Sequence, residues 1–417
     1  MLKKFSKAKL FNTLSNRSFF KFWLGQSVSV FGSSMYQAAL PFLVFYINGG
    51  AAELSLANTF YIAPQIIVLL FGGVFTDRWN RKYTLVISDL IKSGVVFTIC
   101  LLLFFDQLNV LHIYALTASL GMVSTFSRPT TRGIIPQLVE KRQLVNANSL
   151  RAISRQVSQM LAPVVGGFLI TAVGLFIVFG ITTFTFFFSA LFLSTIHLYK
   201  KINESSEKES KRQSYWKDLL EGFKTVQTTN WLLIGIVVSS IINIFIASFD
   251  VIALPIYIKD TFSSSGISGA EAYGFTLSSM AIGALLSAFW MGRQEKLPPR
   301  GILYYSLIGA TGLSILFLAL TSSLLITLFF TTIIGFLMTT FIIVWESLLQ
   351  DLVDNEKLGR ITSLDMFGGL VLLPVGYWIF GLLIETTNVS KVIQITGLGI
   401  IIMSILPLLF KSIRDLK

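Results

Sequence analysis

The chain has 417 residues, 53% of them hydrophobic and 13% charged, with a formal net charge of +12. Soluble domains carry roughly 25% charged residues, so about half of the usual charge is missing. That excludes a string of soluble domains and makes nucleic acid a poor match for the basic balance; the bilayer is the solvent this composition suits.

A span needs ~20 mostly apolar residues to cross ~30 Å of hydrocarbon. Twelve such runs follow one another, at 19–46, 54–76, 83–105, 109–127, 150–172, 174–198, 231–258, 272–293, 301–320, 323–349, 361–384 and 390–410. The basic stretch "MLKKFSKAKLFNTLSNRSFFK" precedes a run too long for a signal-peptide core and shows no evident cleavage site, so the first span is expected to be retained. Cys100, the single cysteine, lies in the third run and forms no internal disulfide. With a cytoplasmic N-terminus, 30 of the 33 lysines and arginines fall on one side of the membrane; Lys259 and Lys391 fall on the other, and Lys92 lies within the third span. The positive-inside rule therefore predicts that both termini are cytoplasmic. The net charge is then explained by topology and by contact with anionic lipid.

Residues 199–230 break the pattern. Their first half is a polar linker. In the second half Trp216, Leu219, Leu220, Phe223 and Val226 share one helical face, as an interfacial amphipathic helix requires. On either side the chain repeats itself: "YQAALP" at 36–41 matches "DVIALP" at 250–255, and "LVEKRQLVNANSL" at 138–150 matches "LVDNEKLGRITSL" at 352–364, both at a shift of 214. The reading is an N-terminal bundle at 1–198, a cytoplasmic linker at 199–230 and a C-terminal bundle at 231–417. Because six spans is an even number, both halves enter the membrane in one direction. Such parallel repeats share an axis along the membrane normal and place a site near the midplane. The predicted fold is all-α, with twelve transmembrane helices in two six-helix bundles related by a pseudo-two-fold axis.

The link between the second and third spans, "GGVFTDRWNRK", carries charge where the flanking runs have none. Its pattern Gly73-x-x-x-Asp77-Arg78-x-x-Arg81-Lys82 resembles the signature of the major facilitator superfamily. "SQMLAPVVGG" at 158–167 resembles the fifth-helix antiporter motif of its drug–proton exchangers, with Ala162 where glycine is usual. "LGR" at 358–360 and "RPTTRGIIPQLV" at 128–139 resemble the branch that holds macrolide and siderophore exporters. The resemblance implies that Asp77 sits near the N-terminus of the eleventh helix, where unpaired N–H groups favour an anion. That contact would latch the halves on the inside and hold the outward-facing state, with Gly73 allowing close packing. The acidic residue that often accepts the loop arginine at the foot of the fourth helix is absent here; Asp89 is the expected substitute partner, for Arg81 or for Arg128 and Arg132. The 8–9 loop keeps Gly292 and Arg293 without a matching aspartate.

The same shift maps Arg132 onto Glu346, Arg142 onto Glu356 and Arg151 onto Asp365, three cations onto three anions. Arg132–Glu346 and Arg151–Asp365 are the expected inner gate; pairing within each half is the plainer alternative. Ionisable residues within spans are costly and usually functional. Asp250 is the expected proton carrier and Glu346 the runner-up, structural hydrogen bonding being the alternative for either. In this family the first, fourth, seventh and tenth helices line the cavity, which singles out Gln26, Ser33, Tyr36, Gln37, Asn243 and Asp250 as substrate-facing. Pro163, Gly166 and Gly167 are expected to bend the fifth helix and let a neighbour pack closely, sealing a leak path.

No G-x-x-x-x-G-K-[ST] occurs, so no phosphate cradle for nucleotide is predicted. His112 and His197 fall at opposite membrane faces and Cys100 has no nearby base, so catalysis, metal binding and a cofactor are not expected. The predicted protein is a monomer in the cell membrane with membrane lipid, protons and a small molecule as partners. It exports a macrolide-like or other drug by proton antiport. The alternatives are export of a siderophore or other endogenous anionic metabolite and, third, uptake by symport.

Overall fold

A computed structural model describes residues 12–76, 80–198, 223–262, 266–294 and 298–416. Among the described residues every regular element is helical. The first six long helices are α1 (Arg17–Tyr46), α2 (Ala51–Thr76), α3 (Arg81–Phe104), α4 (Val110–Leu138), α5 (Leu144–Val173) and α6 (Leu175–Ser194). The second six are α7 (Asn230–Phe262), α8 (Gly269–Met291), α9 (Arg300–Leu318), α10 (Leu324–Leu352), α11 (Asn355–Val371 continuing as Leu373–Thr386) and α12 (Val389–Ile405). Eleven of these are long and apolar enough to cross a bilayer. The remaining one, α2, has 26 residues, or ~39 Å at 1.5 Å per residue, which is spanning length.

Local chemistry sets the starts. Asn16, Asn80, Asn109 and Asn388 stand just ahead of α1, α3, α4 and α12, and each side-chain oxygen accepts a first-turn N–H. Such caps satisfy donors the helix itself leaves orphaned, at about 1 kcal/mol each. Ser268 and Glu271 form a reciprocal capping box at the head of α8.

Two prolines related by the shift of 214 behave differently. Pro41 lies inside α1, which runs unbroken. Ahead of Pro255, α7 widens into a π-helical turn over Phe249–Ala253, and Leu254 N–H donates to Phe249 O, five residues back. Proline offers no N–H and its ring crowds the carbonyl four residues earlier; a π turn relieves that crowding. In α11 the interruption falls at Leu372, before Pro374.

The chain clusters into two compact units, one from residues 1–48 and 60–203 and the other from 49–59 and 204–417. The start of α2 therefore belongs with the second unit, although the sequence places it in the first bundle. There Ala52 N–H donates to Glu385 Oε1 at 3.1 Å, and Ser55 touches Gly381.

Inside the units the helix pairings match. In the first, α3 packs on α6 and α4, and α1 on α5 and α6. In the second, α9 packs on α12 and α10, and α7 on α11 and α12. Lipid gives no hydrophobic drive between helices, so small residues and polar cross-links carry the contact. Gly121 of α4 lies against the Tyr61 carbonyl of α2, and Gly335 of α10, a shift of 214, lies against the Met280 carbonyl of α8. A Cβ at either glycine would collide with that backbone. Ser279–Thr331 at 2.6 Å and Ser287–Thr340 at 2.7 Å, all four buried, tie α8 to α10. Large side chains such as Phe104, Phe184, Phe289 and Phe329 point outward, exposed. Water would penalise that surface; hydrocarbon does not. An apolar cluster of Phe19, Phe22, Leu85, Ile134, Leu138, Leu150 and Leu193 closes one end of the first unit.

Candidate functional site

The charged knot begins to resolve at that end. Arg81 opens α3 and its Nη1 donates to the Gly133 carbonyl of α4 at 2.6 Å. Lys82 Nζ donates to the Ile196 carbonyl beyond α6 at 2.8 Å, and Lys21 Nζ reaches Thr195 O at 3.5 Å. Carbonyls at a helix C-terminus lack intrahelical partners and carry partial negative charge, so cations suit them. These basic residues thus tie α3 to α4 and α6. The second unit has a related tie: Arg300, which opens α9, meets Asp351 near the end of α10 at 2.5 Å. Asp77 and Arg78 lie outside the described residues, as do the side chains of Arg128, Arg132 and Glu356; Gly73 falls within α2.

Asp89 does not pair with Arg81. It is buried one turn before Lys92 on α3, and Lys92 Nζ stands 3.1 Å from its Oδ1. Ser29 of α1 donates to the same oxygen at 3.2 Å, and Ser189 of α6 donates to Oδ2 at 2.6 Å. The physical reason is desolvation: a carboxylate this far inside is tolerable only where several donors converge on it, and α1, α3 and α6 supply them. Lys92 itself lies 5.6 Å from the Phe186 ring centroid.

Beside Lys92, residues of α1, α2, α3, α4 and α6 line a small pocket: Ser33, Tyr36, Gln37, Tyr61, Leu120, Ser124 and Phe186. Three of the residues expected to face substrate, Ser33, Tyr36 and Gln37, come together here. Tyr36 is held by Thr117 at 3.1 Å and by the edge of Phe179 at 5.9 Å. Gln26 is engaged elsewhere, its Oε1 accepting from Thr131 at 3.2 Å. Pro163 and Gly166 of α5 are buried, and Gly166 meets Met35 of α1 with a built Cβ 3.1 Å from Cγ; Gly167 is buried as well. The antiporter-like stretch therefore packs on α1 within one continuous helix.

In the second unit Asp250 lies in the π turn of α7, and its Oδ1 is buried without a hydrogen-bond partner among the described residues. The widened turn is what sets this side chain out of ordinary helical register. Asn243, about two turns earlier on α7, donates to the Gly369 carbonyl of α11 at 2.5 Å. Asp365 accepts from Trp345 Nε1 at 3.1 Å, a partner within its own half, and Glu346 is exposed. Trp345 stacks on Tyr304 at 5.3 Å and covers Gly235 of α7. Arg142 meets Glu140 of its own loop at 2.6 Å, both exposed. Of the predicted amphipathic helix, residues 223–228 are helical, with Val226 buried and Phe223 exposed; Trp216, Leu219 and Leu220 lie outside the described residues.

The pairing of Asp89 with Lys92, and the packing of Trp345 on Tyr304, are the parts that sequence reasoning missed. An acidic and a basic residue three apart inside an apolar run was the available signal for the first.

A family model described as Major Facilitator Superfamily matches residues 22–376. The chain belongs to the major facilitator superfamily. Among related sequences, macrolide efflux protein A of Streptococcus pyogenes is 22% identical over 95% of this chain and 97% of its own length. The multidrug efflux pump Tap of Mycolicibacterium fortuitum is 21% identical over 92% and 93%. The enterobactin exporter EntS of Escherichia coli O1:K1 / APEC is 21% identical over 93% and 90%. Among solved structures, the nucleoside transporter NupG superposes with a TM-score of 0.75 at 11% identity, covering 94% of this chain and 98% of that one. The peptide transporter POT gives 0.74 at 12%, covering 96% of each. These structures establish the fold. As a major facilitator, the chain is a multi-pass membrane protein and a transporter of small molecules whose sequence relatives are of efflux type.

Proposed function

We propose that this major facilitator exports a small amphipathic molecule, macrolide-like or another drug, by proton antiport with alternating access. The observation that carries the coupling step is Asp250: a carboxyl group buried in a π turn of α7, with Oδ1 unpartnered among the described residues. Intramembrane carboxyls mark proton relays, and no hydrogen bond to Oδ1 among the described residues accounts for this one. Export is supported by the similarity to macrolide and multidrug efflux proteins and by the antiporter-like stretch around Pro163, Gly166 and Gly167. In this reading both termini are cytoplasmic and Asp77 latches the two halves. The pairs Arg132–Glu346 and Arg151–Asp365 form a gate at the inner mouth, with Glu346 as a second proton carrier.

A second reading, export of a siderophore or other anionic metabolite, is favoured by one observation: a buried ammonium group, Lys92, lines the pocket of the first unit. Similarity to the enterobactin exporter supports it too.

Everted membrane vesicles test the leading reading. A proton gradient, acid inside, is expected to drive a labelled macrolide into vesicles carrying the wild-type chain, and a protonophore to abolish that uptake. Asp250→Asn is expected to insert normally and lose the gradient-driven component. Full gradient-driven export by Asp250→Asn removes the carrier role, and gradient-independent movement in the wild type removes antiport.

A further inference from the structure

We infer that Lys92 is the anchor of an oxyanion subsite, taking the carboxylate or an equivalent anionic end group of a transported molecule into the pocket lined by α1, α2, α3, α4 and α6; this deepens the transporter reading and rests on it.

The argument begins with an asymmetry. Both charges of the Asp89–Lys92 pair are at least nine-tenths buried, and burying such a pair is commonly no more stable than apolar residues of equal volume. Stability is therefore a weak reason for its presence. Three donors converge on the carboxylate, Ser29 and Lys92 on Oδ1 and Ser189 on Oδ2, so both of its oxygens are engaged. The ammonium is less fully engaged. It has three N–H donors, and among the described residues its partners are one oxygen of Asp89 and the face of Phe186. Lys92, rather than Asp89, lines the pocket.

The pocket wall is mixed, with Leu120 and Phe186 beside its polar groups. Ser33, Gln37, Tyr61 and Ser124 bring hydroxyl and amide groups to the same space. The cavity is small, about 20 Å³, so it takes an end group at most and not a whole drug molecule, whose sites run to ~300 Å³ or more. Asp89 acts as the fixed counter-charge that keeps Lys92 in place before the ligand arrives. A ligand oxyanion then adds a charge-assisted hydrogen bond to an ammonium already oriented and desolvated.

The test uses the purified full-length chain in nanodiscs and a matched probe pair, 2-naphthoate and its uncharged amide, 2-naphthamide, measured by calorimetry. The wild type is expected to bind the carboxylate about tenfold more tightly, or ~1.4 kcal/mol. Asp89→Asn combined with Lys92→Met removes both charges together and is expected to bring the ratio to about one. Gln37→Glu, at an exposed position on the rim, folds irrespective of the buried pair and places a like charge at the mouth; it is expected to reverse the preference. Equal binding of both probes by the wild type, or binding of neither, overturns the inference, as does a preference retained in the double variant. Transport of the same compounds by everted vesicles separates the two readings. Carboxylate preference without gradient-driven movement keeps the subsite and sinks antiport; movement without preference does the reverse.

Discussion

Lys92 Nζ stands 3.1 Å from Asp89 Oδ1, one turn apart on α3, and both side chains are buried. Removing one member strands the other charge, at about 3–5 kcal/mol, whereas removing both costs far less. Lys92→Met alone is therefore expected to lower the detergent unfolding midpoint strongly, and Asp89→Asn/Lys92→Met to recover most of the loss. Thermal unfolding followed by tryptophan fluorescence checks this. A double variant no more stable than the single one would show that the pair is not coupled.

Gly121 and Gly335 make the same backbone contact in the two halves, against Tyr61 and Met280. Alanine at either site is expected to destabilise by about 1–3 kcal/mol through overpacking, with similar shifts in apparent unfolding temperature. A silent Gly121→Ala would mean that α2 and α4 separate freely.

Asp77→Asn removes a charge and keeps the shape of the side chain. An anion at a helix N-terminus contributes about 0.3–1 kcal/mol, up to ~2 when partly buried, so transport is expected to fall several-fold with membrane insertion unchanged. Initial rates normalised to protein in the membrane measure it, and normal transport would remove the latch.

For the proposed inner gate, Arg132→Glu and Glu346→Arg are each expected to slow transport, and their combination to restore part of the rate. Exposed pairs contribute ~0–1 kcal/mol, so each single effect should be about fivefold or smaller. That weakness suits a contact broken in every cycle. A double variant no better than either single one disproves the pairing.

Much of the architecture was legible because the bilayer imposes a length and a composition that one dimension can display. The spans from 19–46 to 390–410 were visible as apolar runs, and the repeat was visible because a shift of 214 aligns "YQAALP" with "DVIALP". The π turn ahead of Pro255 was not read from the sequence, because Pro41, its counterpart in the repeat, leaves α1 unbroken. The site was legible in part. Ser33, Tyr36 and Gln37 line one pocket because they share one face of one helix. Gln26 accepts from Thr131 and Asn243 donates to Gly369, partners far away in the chain that one dimension does not reveal.

The sequence by itself determined that this chain lives in lipid, that it is built twice over and that it belongs among transporters. Hydrophobic length, repeat and motif are local properties and need no third dimension. Only the tertiary structure decided whom the charges meet. Asp89 was free on paper to serve Arg81, Arg128 or Arg132, but Ser29 from α1 and Ser189 from α6 converge on it with Lys92. A buried charge takes the partners that packing brings within hydrogen-bond reach, and those come from helices some 60 and 100 residues away in the chain.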